Sequence, residues 1–178
     1  MLKPEEVRGV LLPDAYIKEH GVSYYSLADE YYYDENGVYH YERMFDKPMD
    51  EGGKPFTGVV FETFENSDQI AFYIEFKDGY QFGNHAKFYE NGALRCYCRI
   101  DEKEYYTYEW HENGVLKKIL EMTEWYRKHK QNYYRIREYD ENGVLRKMKE
   151  SRYRKRGQDS FCIREYDENG KLIHKSSD

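Results

Sequence analysis

Cysteine is scarce in this 178-residue chain, with three residues, Cys96, Cys98 and Cys162. An odd, low count argues against a disulfide-stapled scaffold and predicts a reduced, cytoplasmic protein. Long apolar runs are missing as well. Near the N-terminus the only one is "GVLLP", too short for the apolar region of a secretory signal. No segment approaches the run of about 20 apolar residues that a membrane helix requires. The glycine-rich nucleotide loops, the HExxH zinc motif and the GxSxG nucleophile elbow are all absent, so no enzyme class announces itself and no cofactor is expected.

What is abundant is tyrosine. Hydrophobic residues make up only 39% of the chain and charged ones 35%, yet 21 residues are Tyr and aromatics reach 18%. Disordered chains are poor in aromatics, so this composition predicts a folded protein. A Tyr ring can cover apolar surface while its hydroxyl stays in water, which suits thin β-sheets with little aliphatic interior. The formal charge is -6, but it is unevenly spread. Residues 117–164 hold 15 basic and 7 acidic side chains, against 13 and 27 elsewhere. Such polarity can steer a charged partner, or it can be an ordinary solvated surface.

A degenerate repeat organises the chain. An aromatic is followed six positions later by an apolar residue in Tyr33/Tyr39, Phe64/Ile70, Phe88/Leu94, Trp110/Leu116, Tyr139/Leu145 and Tyr166/Leu172. Five of the six intervening segments contain Glu-Asn-Gly; the second reads ENSDQ. The aromatics are 31, 24, 22, 29 and 27 residues apart. Asn-Gly often marks a two-residue type I′ hairpin, but that register would set Asp140 against Leu145. A three-residue loop ending in a left-handed Gly instead places each aromatic opposite its apolar partner. This predicts positive φ at Gly37, Gly92, Gly114, Gly143 and Gly170, with Asp68 taking the Gly position in the second unit.

Strict alternation outward from each turn puts Ile70, Phe72, Ile74 and Phe76 on one face. It likewise groups Leu94, Cys96, Cys98 and Ile100, with Tyr106, Tyr108 and Trp110 on the return strand. "KDGYQFG" and "RIDEKEYY" read as further turns, joining the hairpins into a meander. In the last two units the pattern blurs, since Arg135 and Arg137 share parity with Tyr139 while Ile136 lies opposite; a bulge or a sheet wet on both faces accounts for this. The expected fold is all-β, an extended antiparallel meander over residues 28–178 with about six repeats. Residues 1–27 lack the repeat and are expected to form a cap with a short helix near Asp14 to His20.

"YENGALR", "HENGVLKK" and "YDENGVLRK", together with "GKPFTGVVFETFEN" and "FKDGYQFGNHAKFYENG", resemble the degenerate MORN-type repeats of bacterial proteins, including antitoxin and immunity proteins. Gly58, Asp78, Gly79 and Gly83 stand where such repeats carry their connecting residues. The resemblance spans roughly residues 30 to 175; the long first and fourth connectors and the missing Gly of the second hairpin depart from it. It implies a long sheet of antiparallel hairpins that binds another protein and does no chemistry.

Other chemistries fit the residues less well. Cys96 and Cys98 with Cys162 and His85 or His111 would be a metal set, but "CYC" lacks zinc-loop spacing, and packed thiols are the simpler reading. The DENG turns lack the alternating ligands and closing Glu of a calcium loop. "RKHKQNYYRIR" and "SRYRKRG" interleave bases with Tyr, as binders of single-stranded nucleic acid do, but the net negative charge argues against that partner. Anionic lipid is the alternative partner for these basic C-terminal repeats, as in an envelope-associated scaffold. The expected partner is a protein, a toxin with a basic surface. Its expected contact residues are Phe72, Phe76, Phe88, Tyr106, Tyr108 and Trp110, which parity alone leaves as either docking surface or internal packing face.

Overall fold

Turn chemistry and alternation generate the elements. The computed structural model describes residues 3–33, 39–101, 104–123, 133–152 and 160–177. Helices α1 (Pro4–Arg8) and α2 (Asp14–His20) and the short strand β1 (Val22–Ser23) come first, followed by a hairpin of β2 (Ala28–Tyr33) and β3 (Tyr39–Phe45). Then come β4 (Gly58–Thr63), β5 (Ile70–Lys77), β6 (Tyr80–Phe88), β7 (Leu94–Ile100) and β8 (Glu104–Trp110). The chain continues with β9 (Leu116–Thr123), β10 (Tyr133–Tyr139), β11 (Leu145–Arg152), β12 (Ser160–Tyr166) and β13 (Leu172–Ser177). The hydrogen-bonded order is β1-β4-β5-β6-β7-β8-β9-β10-β11-β12-β13, with β2 and β3 paired separately. This is the antiparallel meander the repeat predicts, and α2 is the expected short helix. Helix α1 and the parallel pairing of β1 with β4, Val22 opposite Val60, are additions to it.

The Glu-Asn-Gly hairpins share one geometry. In the β8–β9 turn the His111 N–H donates to the Val115 carbonyl (2.8 Å) and the Gly114 N–H to the His111 carbonyl (2.9 Å). The same two bonds recur at Tyr89/Ala93, Asp140/Val144 and Asp167/Lys171, each closed by the Gly in fourth place. Gly92, Gly114 and Gly143 have φ of 79° and Gly170 of 75°, the left-handed conformation required there. Gly37 lies outside the described residues. Where the turn begins with Asp, that carboxylate serves the backbone: Asp140 Oδ1 accepts from the Asn142 and Val144 N–H groups at 2.9 and 3.0 Å. Where it begins with Tyr or His, the Asn takes over, and Asn113 Oδ1 accepts from the Val115 N–H at 3.0 Å. Acid and amide are therefore turn chemistry, and the repeat is architecture.

The second turn differs. Ile70 stands opposite Thr63, not Phe64, and the left-handed residue is Asn66 (φ 58°), not Asp68. The loop is one residue longer; the Ser67 N–H bonds to the Phe64 carbonyl, so the positive φ falls at the third turn position. Without Gly, the chain uses Asn, one of the few side chains that tolerates this conformation.

Simple alternation fails at one recurring place. Just past the turns of the β4–β5, β8–β9, β10–β11 and β12–β13 hairpins one strand carries an unpaired extra residue, Ala71, Lys117, Arg146 and Ile173 respectively. Such a bulge resets side-chain parity. Ile70 therefore shares a face with Tyr73, Leu116 with Ile119, and Leu145 with Met148, at a spacing of three. Phe72, Ile74 and Phe76 point the other way from Ile70. Cys96, Cys98 and Ile100 pair with Glu109, Thr107 and Tyr105, so they lie on the face opposite Tyr106, Tyr108 and Trp110. Both groupings correct the expectation from strict alternation.

The chain divides into two compact units, residues 11–86 and residues 1–10 with 87–178. In the first, β4 and β5 are covered on both sides. Met44, Val60, Ile74 and Phe76 form a buried cluster against which Val22, Tyr24, Leu27, Phe56 and Phe72 pack. On the other side Tyr73 is fully buried, its hydroxyl accepting the Leu12 N–H at 3.2 Å, and the end of α2 at Gly21 lies against the Phe61 ring. Asp78 and Gly79, both at positive φ, close the β5–β6 hairpin, as "KDGYQFG" predicts.

The second unit changes character along its length. Leu94, Tyr97, Cys98, Trp110, Leu116 and Ile119 are buried, but beyond Ile119 no described residue is. Strands β10 to β12 are half-exposed on both faces, and β13 is exposed throughout.

Candidate interaction faces

The aromatic cluster predicted to contact a partner is split by the fold. Phe72 and Phe76 pack in the core of the first unit, Phe76 being buried. Phe88 ends β6, half-buried. Tyr106, Tyr108 and Trp110 lie in a row on β8 that continues to Tyr97 on β7. Ring centroids are 6.1 Å apart for Tyr97 and Tyr106, 5.6 Å for Tyr106 and Tyr108, and 6.1 Å for Tyr108 and Trp110. Trp110 is 1% exposed and belongs to the packing, whereas Tyr106 and Tyr108 are half-exposed. Burial raises the Tyr108 phenol, with Glu121 and Tyr106 adding to the effect and Arg137 opposing it.

Register places a charged network beside this row. Residues directly opposite in antiparallel strands share a face, so Tyr106, Glu121, Arg135, Glu150 and Cys162 form one cross-strand line. Tyr108, Ile119, Arg137, Met148 and Arg164 form the next. Glu150 is held between two arginines: one carboxylate oxygen accepts from Arg135 Nε at 2.8 Å, the other from Arg164 Nη1 at 2.9 Å. Partial burial works to raise its pKa, but the bonds from Arg164 and Arg135 outweigh that and hold the carboxyl below its ordinary range. Arg137 Nη2 reaches Glu121 Oε2 at 2.8 Å. On the opposite face Lys147 contacts Glu165 at 2.6 Å and Lys118 contacts Glu109 at 3.6 Å.

These arginines are outside the aromatic cluster predicted from sequence, although the signal is present. "RIREY" and "CIREY" put Arg two positions before Tyr139 and Tyr166, hence on the same face of the strand. The basic residues at 127–130 and 154–156 lie outside the described residues.

The cysteines do not converge. Cys96 and Cys98 lie on one face of β7, while Cys162, opposite Glu150, lies on the other face five strands away, roughly 24 Å at the usual strand spacing. Burial pushes the Cys96 thiol up to about 12, with the Glu109 charge adding to it, and burial raises Cys98 as well. Among the described residues no group of three His, Cys, Asp or Glu side chains could hold a metal ion, and no helix is long and apolar enough to cross a membrane.

The fold defines a class, an antiparallel β-meander of repeated hairpins. No protein-family model matches the chain, and no curated protein matches it.

Proposed function

We propose that this chain is a non-catalytic protein-binding repeat module, of the antitoxin or immunity kind that binds and neutralises a toxin. The observation that carries the proposal is the half-exposed sheet of β10 to β13, where no described side chain is buried although Tyr, Ile, Met and Phe are present. Folding leaves much of this aromatic surface in contact with water, and such surface commonly marks a binding face. Hairpin turns and cross-strand ion pairs hold these strands, each pair contributing about 0.2 to 1 kcal/mol. The resemblance to MORN-type repeats supports the same reading. The test is co-expression with the product of the adjacent gene. A stable complex and relief of that protein's toxicity are expected; a harmless neighbour that does not co-purify overturns the immunity assignment.

A further inference from the structure

The two faces of β8 to β13 differ in their charged side chains. Glu121, Arg135, Arg137, Glu150, Arg164 and Lys175 project from the Trp110 face, and Glu109, Lys118, Glu138, Lys147, Lys149 and Glu165 from the other. Among the paired strand residues whose side chains are described, four cations thus oppose two carboxylates on the first face, while charges balance on the second. The arginines sit with Tyr106, Tyr108, Tyr139, Tyr166 and Met148, and the lysines with Tyr105, Tyr134, Phe161 and Met122 besides Thr107, Leu120, Ile136 and Ile163, so aromatics occur on both faces and arginine on one.

Aromatic residues and methionine are enriched in interface cores, and both faces carry them; arginine is enriched there as well and lysine depleted, which favours the Trp110 face. A guanidinium presents five donors in a rigid fork that matches a carboxylate, and it is more weakly hydrated than an ammonium group. Glu150 and Glu121 pin three of these forks to the sheet surface while Arg135, Arg137 and Arg164 stay 34%, 28% and 27% exposed. Holding them in advance lowers the ordering cost of binding.

We propose that the Trp110 face of β8 to β13 is the docking face, and that its partner is a protein segment presenting Asp or Glu side chains among apolar groups. This rests on the protein-binding reading above and adds the face and the chemistry. It also reverses the charge expected from the acidic excess of the whole chain, because the local excess on this face is positive. A nucleic-acid strand, charged at every phosphate, is disfavoured by the net charge of -6 over the whole chain.

Cys162 supplies the reporter, since it lies on this face between Glu150 and Ser177, while Cys96 and Cys98 lie on the other. The full chain is alkylated with a copolymer of Glu and Tyr present, then with a copolymer of Lys and Tyr, then with oligothymidylate, and Cys162 modification is followed by mass spectrometry. The expected result is several-fold slower modification with the Glu/Tyr copolymer alone. Protection is lost in an Arg137→Ala, Arg164→Ala double variant and kept in a Lys118→Ala, Lys147→Ala variant. If the arginine variant fails to fold by circular dichroism, Arg137→Lys keeps the charge without the fork and is expected to weaken protection. Equal protection by the Lys/Tyr copolymer, stronger protection by oligothymidylate, no protection by any probe, or loss in the lysine variant each overturns the assignment. None of these outcomes decides whether a protein is bound at all, which co-expression with the neighbouring gene product tests separately.

Discussion

Trp110 stands directly across the β8–β9 hairpin from Leu116, and both side chains are buried. Tyr139 and Leu145 occupy the same two places in the next hairpin but are half-exposed. The repeat thus performs one geometric task with unequal energetic weight. Truncating Trp110 to Ala is expected to cost about 3 to 5 kcal/mol, as for other large buried aromatics. Tyr139→Ala is expected to cost about 1 to 2 kcal/mol, because it removes less surface from water. Urea unfolding of the two variants measures both, and equal losses would refute a stability gradient along the sheet.

Much of this was legible in the sequence. The Asn-Gly turns located strand ends, the six-residue spacing fixed the register at Trp110/Leu116, Tyr139/Leu145 and Tyr166/Leu172, and left-handed Gly followed from the loop length. The faces were harder to read. Alternation carries parity along a strand only while every residue is paired, and the bulges at Ala71, Lys117, Arg146 and Ile173 break that condition. Its mark is the spacing of three in Ile70/Tyr73, Leu116/Ile119 and Leu145/Met148, which looks like noise under a period-two reading. The Arg and Glu network was hidden for a related reason. Glu150 meets Arg135 and Arg164 only through pairings across two strand boundaries, and side-chain spacing within any one strand does not contain them.

Two glycines at positive φ separate conformational strain from steric clash. A Cβ added at Gly114 (φ 79°) meets nothing within 4 Å, so Gly114→Ala is expected to cost only the left-handed penalty, about 1 to 2 kcal/mol. At Gly79 (φ 78°) the same atom comes within 2.5 Å of Arg43 Cγ and 2.7 Å of the Met44 carbonyl oxygen. That oxygen also accepts the Phe56 N–H, so the backbone cannot move away without losing a bond. Gly79→Ala is therefore expected to be clearly the more damaging of the two. Thermal unfolding of both variants decides it, and a Gly114→Ala loss as large as that of Gly79→Ala would contradict the stated clash.

Glu150 gives the sheet an acid-sensitive element. Its carboxyl titrates below the ordinary value in the folded protein, so the unfolded chain takes up this proton first as pH falls. The contribution is complete at neutral pH and above the ordinary carboxylate range, and it is lost as pH drops through the lower, folded value. At neutral pH Glu150→Gln is expected to cost about 1 to 2 kcal/mol, because the neutral amide leaves Arg135 and Arg164 close together without a counter-charge. The gap between wild type and variant should narrow in acid. Unfolding free energies measured across the acidic range test this, and a gap that stays constant or widens on acidification would rule out the assigned role.

The thiols offer a check on the two faces that requires no partner. With its thiol raised to about 12, Cys96 exposes only about one thiolate in ten thousand molecules at pH 8. Cys98 is buried on the same face, and burial raises its thiol too. Cys162 is half-buried on the more open β12. Alkylation of the folded protein is therefore expected to reach Cys162 well before either of the others, with all three reacting together once urea unfolds the chain. Trp110→Ala should speed modification of Cys96 and Cys98 by loosening the packed end of the sheet, while leaving the Cys162 rate nearly unchanged. Peptide mapping at successive times distinguishes the sites, and simultaneous labelling of all three in native buffer would show that β7 is not packed as described.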